Sequence, residues 1–151
     1  MTLDYWFEQI NEIVDGFIKT FNMDYESTVG QNFCTIIEDN TIEWTLVYVE
    51  KGGKSFYENF ISRYPNADGF NLFTLSVLHE LGHLETQDEM EDDTEKRATI
   101  TDDCEYYALY NEQIATDWAG WWINSHFEDA IMIDTLFTTI INKCYSDLIT
   151  E

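Results

Sequence analysis

Two histidines four positions apart, with a glutamate directly after the first, make His79-Glu80-Leu81-Gly82-His83 an H-E-x-x-H segment. Four residues are about one helical turn, so both imidazoles project from one face of a helix. Side chains placed in that way can grip one Zn²⁺ at roughly 2.0–2.1 Å. The intervening Glu80 lies beside them and is positioned to act as general base toward a water activated by the ion. The chain has three histidines and uses two of them here. An unpaired imidazole is costly to bury, and the surrounding residues are otherwise apolar.

A catalytic zinc needs a third protein ligand and one open position. A Gly three residues after His83 followed by a third His would signal a metzincin, but those positions are Thr86 and Glu89. Glu112 is the stronger choice. The segment Glu112-Gln113-Ile114-Ala115-Thr116-Asp117-Trp118-Ala119 reads E-x-x-A-x-x-W-A. Ala108, Ala115 and Ala119 share the helical face of Glu112. Small residues there, with Gly82 opposite, predict two helices packed closely enough to bring the Glu112 carboxylate to the metal.

HELGH followed about thirty residues later by this pattern resembles the gluzincins, zinc peptidases with a downstream Glu ligand. It is most similar to the ImmA/IrrE-like proteins of bacteria, phages and mobile elements. The membrane CAAX-processing endopeptidases share the broader E-x-x-A-D form. The resemblance covers about 41 residues, His79 to Ala119, and fixes a handful of them. It implies a zincin-like fold, Zn²⁺ on His79, His83 and Glu112, Glu80 as base, and a protein or peptide substrate such as a repressor or other regulatory protein. Thr116 stands where the family usually has Asn or Asp to orient a ligand histidine. A threonine hydroxyl can accept that hydrogen bond, whereas Asp117 lies about 100° further round the helix. Peptide hydrolysis also needs a donor for the developing oxyanion. His126, Tyr106, Tyr107 and Tyr110 are the candidates.

These residues need elements to hold them. Leu3 to Phe21 has apolar residues at helical spacing, with Thr2 as cap. Met23 to Gly30 reads as a polar connection. Asn32–Glu38 and Thr41–Glu50 read as strands joined at Asp39-Asn40, the second ended by Gly52-Gly53. Its own reading is that of a core strand, although zincins use a sheet edge beside the metal to bind substrate. Ser55–Arg63 reads as a short helix, and Pro65 opens a loop. Phe70 to about Glu85 is apolar on nearly every side, the mark of a buried helix. Cys104 to about Asn124 and Asp129–Leu148 complete the helices. The expected architecture is thus α+β: a single domain over residues 1–151, with a small antiparallel sheet or hairpin and about five helices.

Seven basic residues face thirty acidic ones, a net charge of −23. Such a surface repels nucleic-acid phosphates and anionic membranes and favours a basic partner or basic peptide substrate. An acidic binding protein, an inhibitor or nucleic-acid mimic capturing a basic partner, is the competing expectation. The charge is densest from Glu85 to Glu105, with ten acids and two bases, and residues 86–103 read as an acidic solvated loop. No stretch approaches a membrane span, and the acidic N-terminus is unlike a secretory signal, so the expected location is the cytosol. Cys34, Cys104 and Cys144, without a C-x-x-C pair, are expected to be buried reduced thiols.

Overall fold

The computed structural model describes residues 2–46 and 50–150. The chain runs α1 (Leu3–Thr20), β1 (Glu26–Val29), β2 (Cys34–Ile36), β3 (Thr41–Trp44), α2 (Glu50–Arg63), α3 (Leu72–Glu85), α4 (Thr94–Ala98), α5 (Asp103–Tyr107), α6 (Tyr110–Ser125) and α7 (Phe127–Thr150). It is α+β, as expected, with more helices than expected. Thr2 caps α1, its Oγ1 accepting from Tyr5 N at 3.2 Å.

The sheet is mixed rather than purely antiparallel. Its order is β1-β3-β2, with β1 parallel and β2 antiparallel to β3. The expected polar connection therefore contains a strand. Its Glu-Ser-Thr-Val has no apolar alternation because it lies at the sheet margin with three of four residues exposed. Asn40 closes the turn between β2 and β3 at φ 49°, a left-handed conformation that asparagine tolerates. β3 is the central strand, so it offers no edge for substrate. Its last expected residues, 47–49, lie outside the described residues. Gly52 and Gly53 do not end it; they lie in the first turn of α2, which starts five residues earlier than the expected Ser55.

Ile42 and Trp44 turn one face of β3 into the core. The Trp44 ring meets Phe7 of α1 and Phe73 of α3 edge-on, and Phe73 in turn meets Phe137 of α7. Around this aromatic chain α1 packs on α7, and α3 runs through the middle. Twelve successive α3 residues, Phe73 to Leu84, are buried. Burial on all sides explains why its apolar residues show no stripe. Asn71 caps α3, accepting from Phe73 N at 2.8 Å. Asp134 of α7 accepts from Asn71 N and Thr74 Oγ1, which fixes where α3 begins. Among the described residues no helix is long and apolar enough to cross a membrane. All three cysteines are free, but only Cys144 is buried; Cys104 is exposed and Cys34 is half-buried.

Candidate metal centre

The long helix expected from Cys104 breaks at Leu109, whose extended backbone (ψ 141°) separates α5 from α6. That break puts Glu112 in the first turn of α6, where the helix dipole favours an anion. It also removes Ala108 from the Glu112 face, since Ala108 caps α5 and is exposed. Ala115 and Ala119 remain, both fully buried. A Cβ on Gly82 would collide with the Ala115 backbone carbonyl. Glycine is therefore required where α3 crosses α6, and the two backbones approach as the small residues predict.

The three expected ligands meet across this seam. His79 Nε2 lies 3.0 Å and His83 Nε2 3.1 Å from the same oxygen, Glu112 Oε1. His79 is 4 % exposed and Glu112 3 %. Tetrahedral ligation at 2.0–2.1 Å separates donor atoms by roughly 3.3–3.4 Å. Glu112 Oε1 thus needs to draw back from each imidazole nitrogen by only a few tenths of an ångström to reach ligand spacing. His79, Glu80 and His83 also form a buried group whose ligand atoms lie within 4.8 Å of one another, a group that could hold a metal ion. Glu80 and Glu112 differ in their engagement. The Glu80 carboxylate is held from β2, where Thr35 Oγ1 donates to Oε2 at 2.7 Å, whereas only Glu112 has an oxygen shared by both imidazoles.

Supporting contacts orient these side chains. His79 Nδ1 is 3.0 Å from Thr116 Oγ1, one turn beyond Glu112. Thr116 thus engages the His79 ring nitrogen that faces away from Glu112. Asp117 points away and accepts from Arg63 and Tyr64 at 2.6 and 2.7 Å. The Phe56 ring packs edge-on against His79 at 5.2 Å between centroids.

The local electrostatics follow from burial and pairing. Burial alone would raise the Glu112 pKa, but hydrogen bonds and charges from His79 and His83 hold it far below the usual carboxylate range. Burial alone would lower that of His83, yet the Glu112 carboxylate and the Glu80 charge outweigh it and raise the value. Tyr106 is pushed up to about 12, chiefly by burial and then by the Glu112 charge, so its phenol stays protonated at neutral pH.

The expected acidic loop is structured and pinned beside the site. After a 3-10 turn at Gln87–Glu89 it forms α4. The buried Asn111 side chain bonds both backbone groups of Glu91: Nδ2 donates to Glu91 O at 2.8 Å, and Oδ1 accepts from Glu91 N at 3.0 Å. Arg97 Nη2 donates to Glu112 Oε2 at 2.8 Å and its Nε to Asp93 Oδ1 at 2.7 Å. Neither Arg97 nor Asn111 carries a motif that would mark it in sequence. The only signals were two bases inside an acidic run and an Asn just before the candidate ligand.

A pocket of about 210 Å³ opens onto the centre, bounded by Phe33, Phe56, Tyr106 and Tyr107, with His79, Glu80 and Glu112 in its wall. Tyr106 and Tyr107 of α5 reach it. Tyr110 does not: it is 44 % exposed and faces a separate surface depression with Lys96 and Gln113. His126 is also remote. It lies fourteen residues along from Glu112, about 21 Å at 1.5 Å per residue. There it stacks on Trp122, ring centroids 4.9 Å apart. Glu89 closes the 3-10 turn and is exposed. No protein-family model, curated protein or solved structure matches the chain.

Proposed function

We propose that this chain is a zinc-dependent metallopeptidase of the gluzincin type, in which His79, His83 and Glu112 bind the ion and Glu80 is the general base. The observation that carries this reading is the meeting of His79 Nε2, His83 Nε2 and Glu112 Oε1 beside a pocket that also contains Glu80. Two imidazoles and one carboxylate form the donor set that zinc hydrolases use, with a further position left for water. When bound, zinc would polarise the scissile carbonyl and bring the pKa of a water to about 7.

The chain's own groups do the rest. Glu80 accepts a proton from the attacking water and passes it to the leaving nitrogen as the C–N bond breaks. The Thr35 hydroxyl, bonded to Oε2, restrains the carboxylate and leaves Oε1 to carry that proton. Thr116, accepting from Nδ1–H of His79, selects the tautomer whose Nε2 lone pair faces the ion. Tyr106 and Tyr107 are the candidate oxyanion donors, since both line the pocket and both keep their protons. The pocket's aromatic walls suit an apolar side chain, while the net charge of −23 favours a basic polypeptide around it.

Metal content by mass spectrometry on purified wild type, His83→Ala and Glu80→Gln tests the site. Wild type and Glu80→Gln should each carry one equivalent of zinc and His83→Ala little. An unstructured basic protein is then offered to the zinc-loaded forms. Fragments should appear with wild type and be reduced at least a hundredfold with Glu80→Gln, the scale of a lost general base. Identical fragment patterns from the two would overturn the hydrolytic reading.

A further inference from the structure

Among the described residues Arg97 is the one arginine or lysine seen to bond a candidate ligand, and it does so through the oxygen that the histidines do not share. The two oxygens of Glu112 are divided: Oε1 faces both imidazoles, and Oε2 accepts from Arg97 Nη2 at 2.8 Å. The guanidinium is itself aimed. Its Nε is anchored on Asp93, and its carbon lies 5.3 Å from the centre of the Tyr106 ring. Asp93 is in turn bonded by Asn111, the residue just before Glu112, whose Nδ2 lies 3.3 Å from Asp93 Oδ2. Two adjacent residues of α6 thus bear on both ends of the Arg97–Asp93 pair. Arg97 is not among the residues that line the pocket.

We infer that Arg97 is a positioning residue that makes Glu112 a one-oxygen ligand, holding Oε2 out of the coordination sphere and leaving Oε1 as the only carboxylate atom offered to the metal. This deepens the proposed function and rests on its metal site. The physical basis is competition for one oxygen. A free carboxylate beside a divalent cation can rotate and bind through both oxygens, and the second would take the position that water and substrate need. A charge-assisted hydrogen bond to Oε2 opposes that rotation. Lysine would be a poor substitute, because a single ammonium lacks the planar fork that reaches Glu112 and Asp93 together.

The test is cobalt(II) loading of metal-free wild type, Arg97→Gln, Arg97→Lys and Asp93→Asn. Affinity is read by chelator competition and geometry from the visible absorption of the bound ion, which is strong for four-coordinate cobalt and weaker at higher coordination. Wild type should give the intense four-coordinate band. Arg97→Gln should shift the affinity by about 10–100-fold, the usual effect of losing a group behind a ligand. Its band should be weaker as Glu112 becomes bidentate. Arg97→Lys should lie nearer wild type in affinity but not recover the full band. Asp93→Asn, which keeps the guanidinium but loosens its anchor, should fall between wild type and Arg97→Gln. It provides the same comparison if Arg97→Gln does not fold. If Arg97→Gln, or in its place Asp93→Asn, binds cobalt as tightly as wild type with the same spectrum, Arg97 has no positioning role although the metal site stands. If wild type takes up no cobalt, the metal site itself is refuted and this inference falls with it.

Discussion

Glu112 Oε1 is the atom on which the site depends, and its pairing gives the metal-free protein a defined response to pH. Pairing with Glu112 raises the buried His83 pKa above 6.5 against the effect of burial, and His79 and His83 together depress that of Glu112 below 4.5. The His83 contribution to stability is whole below pH 6.5 and is lost as pH rises through the raised value. That of Glu112 is present above pH 4.5 and is lost as pH falls through the depressed one. The pair therefore stabilises the metal-free fold most between pH 4.5 and 6.5. In chelator, the melting-temperature advantage of wild type over Glu112→Gln should shrink as pH is raised from 6 to 9. Zinc affinity should move the opposite way, rising over the same range as the ion displaces protons from the imidazoles. An advantage that grows with pH in chelator would show that the pair is not charged as described. At this scale much was legible beforehand. The H-E-x-x-H spacing and a small-residue face located His79, Glu80, His83 and Glu112, because one helical turn is a fixed length. His126 and Tyr110 were misplaced for the same reason: sequence distance along a helix says nothing about where the helix ends or how it is turned. Thr35 and Arg97 could not be found, since each reaches the site from a part of the chain with no periodic relation to it.

At the scale of elements, the α3–α6 crossing sets the geometry. Gly82→Ala would place a methyl on the Ala115 carbonyl and push the helices apart. Overpacking of this kind costs about 1–3 kcal/mol. Urea unfolding should show that loss, and zinc affinity should drop with it, because the displaced helix carries Glu112. Unchanged stability in Gly82→Ala would mean the crossing is looser than described. Asn111 makes a second prediction. Its amide bonds both backbone groups of Glu91, so Asn111→Leu leaves those groups without their partner while keeping an apolar volume. The segment around α4 contains only two tryptic sites, Lys96 and Arg97. Cleavage there should become at least tenfold faster in Asn111→Leu than in wild type, and equal rates would show that the segment is held by other contacts. Strong apolar periodicity made α1 and α7 readable, and a continuous apolar run did the same for α3. β1 and α4 were not, because a margin strand of Glu-Ser-Thr-Val and a short charged helix owe their structure to neighbours rather than to their own pattern.

For the molecule as a whole, thirty acids against seven bases create a field that acts before any contact forms. Association with a basic polypeptide should weaken as salt rises from 0.05 to 0.5 M, as the screening length shortens from more than 10 Å to a few. For the hydrolytic reading, that dependence should appear in KM while kcat changes little, since the buried centre is shielded from screening. A tight stoichiometric complex with the same salt dependence, unaltered by Glu80→Gln and never cleaved, would instead favour an acidic binding protein.

The meeting of Gly82 with Ala115 lies between the two histidines on one helix and three residues past the glutamate on the other. Tight packing and chemistry therefore share a single location. Anyone seeking a hardier variant by mutagenesis has no neutral ground along that seam, where any gain in bulk would be registered in the centre's geometry. The outward side of α7, with Ile131, Met132 and Leu136 exposed, is where changes can be made away from the candidate metal centre.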